Sequence, residues 1–352
     1  MIYEKNILFI VIILIFIVAL LYSPYFKELT KTLDEKKVYK IEGIKTTEIS
    51  TLEGFEFFNR GIISYNNQKT IYTDFDNKIL WENQNTEFSN RVFVTDNYIF
   101  RQANNNIKVL DKNNQEFVIA EIEGNIINVS RENNKTGMIV KGNGQTLYIM
   151  DDNNEIVVDN KEFQDTITGI SISDKSDAYS VITLVFENGA FVNNIYYFIE
   201  DVELWSSIIS KEILIKTKVV NNNVIVIGTE NIYFYNDNGK LMWKNKIFNK
   251  VLDYEISQGM INILFEKDQA AELLSYNFEG KVMEIKTAPA GSKKLKIADN
   301  KTLTYDNNTI YLLHGNKTDK LFEDTESFED FMIEGNNIYI LFKNKIIEGQ
   351  IK

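Results

Sequence analysis

Ile232-Tyr233-Phe234-Tyr235-Asn236-Asp237-Asn238-Gly239-Lys240-Leu241-Met242-Trp243 is the stretch that decides the fold. A β-branched and aromatic run leads into Asn, Asp and Gly, and a second apolar run reaches a tryptophan. Residues of the first kind suit a pleated strand, and those of the second tolerate the positive φ of a tight hairpin. The same unit occurs as Ile71-Tyr72-Thr73-Asp74-Phe75-Asp76-Asn77-Lys78-Ile79-Leu80-Trp81 and as Ile195-Tyr196-Tyr197-Phe198-Ile199-Glu200-Asp201-Val202-Glu203-Leu204-Trp205.

Weaker copies begin at Ile107, Leu147, Leu273, Ile310 and Ile346, so the starts are spaced by 36, 40, 48, 37, 41, 37 and 36 residues. About forty residues is the length of one four-stranded propeller blade. Two further strands precede each hairpin; in the fifth repeat they run from Leu214 to Val220 and from Val224 to Gly228. The eighth copy has only three strands, Phe328 to Ile333, Ile338 to Phe342 and Ile346 to Ile351. Its fourth is expected from Val38 to Ile44, which would close the ring and remove its open edges. The sequence therefore predicts an all-β, eight-bladed β-propeller over residues 38–352. A seven-bladed ring is the alternative, with the 48-residue interval holding an inserted loop around Asp174 to Phe191.

Asp237-Asn238-Gly239-Lys240-Leu241-Met242-Trp243 resembles the repeat of PQQ-like propellers, commonly Asp-x-x-x-Gly-Lys-x-x-Trp. Asp76-Asn77-Lys78-Ile79-Leu80-Trp81 follows it with Asn for Gly, and Glu279-Gly280-Lys281-Val282-Met283 keeps the turn without the Trp. The layout is similar to uncharacterised membrane-anchored bacterial propellers of the PQQ-like or WD40-like kind. It also resembles the propeller lipoproteins of outer-membrane β-barrel assembly, without their lipidated cysteine. The quinone enzymes of the superfamily imply a vicinal cysteine pair and a calcium site; this sequence has no cysteine and matches no such ligand set. No cofactor is expected.

Residues 7–21, ILFIVIILIFIVALL, are apolar without interruption, and Tyr22, Tyr25 and Phe26 follow. Residues 7–26 span about 30 Å as a helix, the thickness of a hydrocarbon core, with the aromatics at interfacial depth. No small-x-small cleavage site follows, so a retained signal anchor is expected over 7–26, with a head at 1–6 and a stalk at 27–37. A short head before a long domain places the propeller outside the cytoplasm. Lys27, Lys31, Lys36 and Lys37 against Lys5 alone pull the other way under the positive-inside rule.

A net charge of −12 and a pI near 4.9 oppose nucleic-acid binding, which needs phosphates neutralised by Lys and Arg. The one basic cluster, Lys293-Lys294-Leu295-Lys296, suits a solvated strand edge. Without cysteine there are no disulfides, thiol nucleophiles or thiolate zinc sites, and the single His314 excludes histidine clusters. Trp81, Trp205 and Trp243, at equivalent repeat positions, are expected to pack between blades rather than to form a ligand platform. Asp237-Asn238-Gly239 and Asp151-Asp152-Asn153-Asn154 read as turns, because the terminal bidentate Glu of a calcium loop is missing. Glu323 to Asp330 reads as a solvated inter-blade loop, and His314 as a structural residue.

No catalytic, cofactor or metal residue stands out. The expected function is a non-enzymatic protein-interaction scaffold, anchored in the cell membrane and binding a protein partner in the envelope. The alternative is a ligand-binding or hydrolytic propeller acting on envelope glycans or small molecules, with acidic and aromatic side chains gathered at the axial mouth.

Overall fold

The computed structural model describes residues 37–352 except 85–90, 104–105, 120–121, 133, 152, 154, 174 and 258. The expected head, anchor and stalk lie outside the described residues, apart from Lys37. Among the described residues no helix is long and apolar enough to cross a membrane.

All eight repeat starts fall within the third strands of eight four-stranded antiparallel sheets. The fifth blade, for instance, is Leu214–Val220, Asn223–Gly228, Asn231–Tyr235 and Leu241–Lys246. Seven sheets run in simple sequence order, and the eighth is built from both ends of the ring. There Ile41–Glu48 pairs antiparallel with Lys345–Ile351, from Ile41 opposite Ile351 to Glu48 opposite Lys345. The closing strand thus starts three residues later than the sequence suggested. The eight sheets exclude the seven-bladed alternative: the 48-residue interval holds a longer hairpin of Ala178–Glu187 and Ala190–Ile199, reached by a longer connection from Ile172 to Ala178.

Contacts between neighbouring blades run through their first strands, as where Thr166–Ile172 meets Leu214–Val220 and Val251–Ser257 meets Lys294–Ala298. The first strands therefore surround the axis and the fourth strands form the rim. Apolar residues alternate into the gaps between sheets, so each core is shared by two blades. One such core joins Leu303, Ile310 and Leu312 of blade 7 to Phe331, Ile338 and Ile340 of blade 8.

Consecutive strand residues face opposite sides, and side chains in blade 2 use this to grip both neighbours. Arg101 turns toward blade 1, bonding Thr70 Oγ1 and the carbonyls of Asn66 and Lys69; burial pushes its guanidinium down to about 10. Gln102 turns toward blade 3, where its Oε1 accepts the Ile126 N–H at 2.8 Å and its Nε2 donates to the Gly124 carbonyl. The device recurs: Gln145 accepts from Ile167 N–H at 2.7 Å, and Asn193 from Leu214 N–H at 3.1 Å. In all three places the receiving strand shifts register immediately afterwards, at Ile126/Asn128, Ile167/Gly169 and Leu214/Lys216. A bulge releases backbone groups from the ladder, and the preceding blade's amide satisfies one of them.

Asn193 is fully buried and also donates to the carbonyls of Ile209 and Glu212. Asn193→Leu would strand these groups, so a loss of about 1–3 kcal/mol is expected in chemical denaturation. An unchanged midpoint would show that the latch does not bind blade 4 to blade 5.

Candidate functional site

The tryptophans belong to the scaffold. Each stands near the start of its outer strand, the third residue of Ile79–Gln84 and Leu241–Lys246 and the fourth of Val202–Ser210, rather than ending it. Each indole N–H donates to a carbonyl in the next blade's outer hairpin: Trp81 to Lys112 at 3.0 Å, Trp205 to Asp237 at 3.1 Å, Trp243 to Phe278 at 2.9 Å. Two of the receiving turns are bare at the point where the ring lies; the third, under Trp81, has Asn114 there at φ 63. A Cβ on Gly239 would lie 2.7 Å from the Trp205 ring, and one on Gly280 2.8 Å from that of Trp243; both glycines also have φ above +70°.

The turns themselves are knotted by their own acid or amide. Asp111 Oδ1 accepts the N–H groups of Asn113 and Gln115, Asp151 Oδ1 those of Asn153 and Glu155, and Asn236 Oδ1 those of Asn238 and Lys240. These are Asx turns closing hairpins. Among the described residues no group of three or more His, Asp or Glu is arranged to hold a metal ion.

The remaining candidates fall at the closure and on the axis. His314, buried in blade 7, bonds Asp319 Oδ2 through Nε2 at 2.7 Å, and the same oxygen accepts the Tyr39 N–H at 2.7 Å. His314 thus secures the strand that closes the ring. In the acidic stretch, Lys345 pairs with Asp324 at 3.4 Å and Glu326 at 2.8 Å. The basic cluster does lie on a strand edge, with Lys293 and Lys294 exposed. Lys294–Ala298 is a first strand, so its lysines stand on an inner edge, and Lys296 reaches Asp330 of blade 8 at 3.3 Å.

Around the axis, charges of opposite sign meet across blades. Glu132 of blade 3 accepts Ser171 Oγ at 2.6 Å and Ile172 N–H at 2.9 Å from blade 4, and pairs with Lys216 at 3.7 Å and Lys218 at 3.4 Å from blade 5. Burial raises the Glu255 carboxyl above its ordinary range, Asp253 adds to this, and Lys218, Lys216 and Lys296 oppose it. In blade 1, beside a hollow of about 440 Å³ lined by Phe55, Phe57, Asp96 and Asp330, burial likewise raises Glu56. Tyr65 O–H donates to Glu56 at 2.8 Å and opposes the rise, while Asp330 adds to it. Of these residues only Lys294 and Lys296, as part of the basic cluster, and Asp330, at the end of the acidic stretch, stood out in the sequence. A wider signal was present: Lys216/Lys218, Asp253/Glu255 and Lys294/Lys296 are pairs at i and i+2, one side of a strand, alternating in sign through three successive repeats.

A closed ring of eight four-stranded blades with a charge-paired axis defines the class: an eight-bladed β-propeller. The chain belongs to the Family of unknown function (DUF5711), whose profile matches residues 32–349. No curated protein sequence matches it. Among solved structures it is similar to the C-terminal WD40 domain of Sif2, with TM-score 0.60, 10% identity and coverage of 90% of this chain and 99% of that one. It is similar also to BamB from Moraxella catarrhalis, with TM-score 0.55, 10% identity and coverage of 88% and 99%. At such identities the likeness is one of fold.

Because folding raises the Glu255 pKa above the unfolded value, ionising this carboxyl costs stability as pH rises through the folded pKa. Glu255→Gln is therefore expected to raise the Tm at pH 7. The gain should vanish below pH 4.5, the ordinary value, where both side chains are neutral. A variant less stable at pH 7 would mean that the three lysines outweigh burial.

Proposed function

We propose that this chain is a membrane-tethered, extracytoplasmic β-propeller that acts as a non-enzymatic protein-interaction scaffold in the bacterial cell envelope. The observation that carries the reading is the pairing at the axis, where Glu132 is taken up by two lysines and a serine of other blades. A carboxylate so neutralised and fixed serves cohesion of the ring better than proton transfer. Function then falls to the turns on the two faces, displayed on a rigid scaffold. The apolar run at 7–21 supports the tether. Cross-linking in intact cells, followed by purification of the full chain from solubilised membranes, is expected to recover one specific protein under at least one growth condition. Recovery of none across several conditions would contradict the scaffold.

A second reading has its own observation. Phe55, Phe57, Glu56 and Asp330 gather beside the axial hollow, and a carboxyl raised by burial next to a second acid is the arrangement of a general acid. A ligand-binding or hydrolytic propeller acting on envelope glycans or small molecules would use this pair. Purified protein should then release reducing ends from envelope glycans, and Glu56→Gln should lower that rate by about a hundredfold or more. Equal rates for the two proteins would dismiss Glu56 as an acid.

A further inference from the structure

We propose that the rim of the ring, on the side where the N-terminal segment arrives, rests on a lipid surface. The inference deepens the tether reading above by assigning the face that meets the membrane. The closing strand Ile41–Glu48 begins beside Ile351, the end of the third strand of blade 8. Every other blade has at this point the hairpin turn between its third and fourth strands. Residues 37–40 therefore arrive at the rim, level with those turns.

At that same level the outer strands open with exposed aliphatics. Blade 1 presents Ile79 and Leu80, blade 5 Leu241 and Met242, blade 6 Val282 and Met283, between 43% and 58% exposed. Ile156 and Leu204 hold the equivalent rim in blades 3 and 4, whereas blade 2 opens its outer strand with Glu116; Val38, 68% exposed, stands where the chain arrives. Single exposed aliphatics are ordinary on a soluble surface, but their recurrence at one level in five blades, four of them successive, is a band. An exposed lysine precedes the pair in three of them, at Lys78, Lys240 and Lys281. Lysine beside aliphatics suits an interface where the stem lies along apolar surface and the ammonium reaches headgroups.

The chain outside the described ring identifies the occupant. The apolar run and its aromatics end at Phe26, so only ten residues, 27–36, separate them from Lys37. Fully extended they reach at most about 35 Å, which keeps this side of the ring close to whatever holds the run. Asp76, Asp237 and Glu279 stand in the same turns and the chain carries −12, so the surface is tested as a zwitterionic one.

The three tryptophans of the sequence, Trp81, Trp205 and Trp243, follow directly on this band and report on it without labelling. Full-length protein is reconstituted into phosphatidylcholine vesicles with plain or brominated acyl chains, and tryptophan emission is compared. Emission is expected to fall by roughly half in the brominated lipid, as for side chains at the acyl boundary. The combined variant Leu80→Glu, Met242→Glu, Met283→Glu should restore it while still floating with the vesicles. Equal emission in both lipids from floating protein overturns the inference and leaves the tether standing; protein that fails to float overturns both. Quenching that the triple variant leaves intact also overturns it, as does equal emission from a particle of doubled mass, which assigns the rim to a second copy.

Discussion

Closure of the ring depends on one antiparallel pairing, that of Ile41–Glu48 with Lys345–Ile351. In seven blades the outer strand follows its neighbour through a hairpin and is held by local geometry. In the eighth it comes from the opposite end of the ring, so pairing must offset the entropy of closing a loop some three hundred residues long. Several contacts converge there. Lys40 and Lys352 exchange backbone hydrogen bonds in both directions, Ile49 N–H donates to the Asn344 carbonyl, and Tyr39 N–H reaches Asp319 beside His314. Gly349 lets the strands meet, because a Cβ there would collide with the Ile41 side chain.

With the ring closed, every blade has a neighbour on each side, and the remaining interactions make sense only in pairs of blades. The apolar cores are shared across sheets, the amides of Gln102, Gln145 and Asn193 satisfy backbone groups in the following blade, and the tryptophans reach the following blade's turn. Asn83 and Asn245, two residues beyond a tryptophan, bond the same turns at Asn114 and Gly280. Each of these side chains finds a partner across a blade boundary, in keeping with a repeat that is stable as an array rather than alone.

The axis follows the same rule with charge in place of shape. First strands bring carboxylates and ammonium groups from different blades within reach, and partial burial makes each dependent on its partner. Glu132, Lys216, Lys218 and Lys296 therefore act as cross-blade ties, while Glu56 and Glu255 feel burial more than attraction. This division separates the scaffold reading from the hydrolytic one.

Strand, turn and period were legible in the sequence because a hairpin is local. Asp111 to Gln115 caps its own N–H groups within five residues, and Ile232 to Trp243 carries its strand pattern whatever surrounds it, so all eight repeat starts fell in third strands. The ring followed from counting those units and noticing that the last lacked a strand. What packs against what was decided only by tertiary structure. Glu132 and Lys216 are 84 positions apart, and only the radial arrangement of first strands makes them neighbours. The 48-residue interval shows the same limit: the residue count fixed its length, but strand pairing decided that most of the excess lengthened a hairpin.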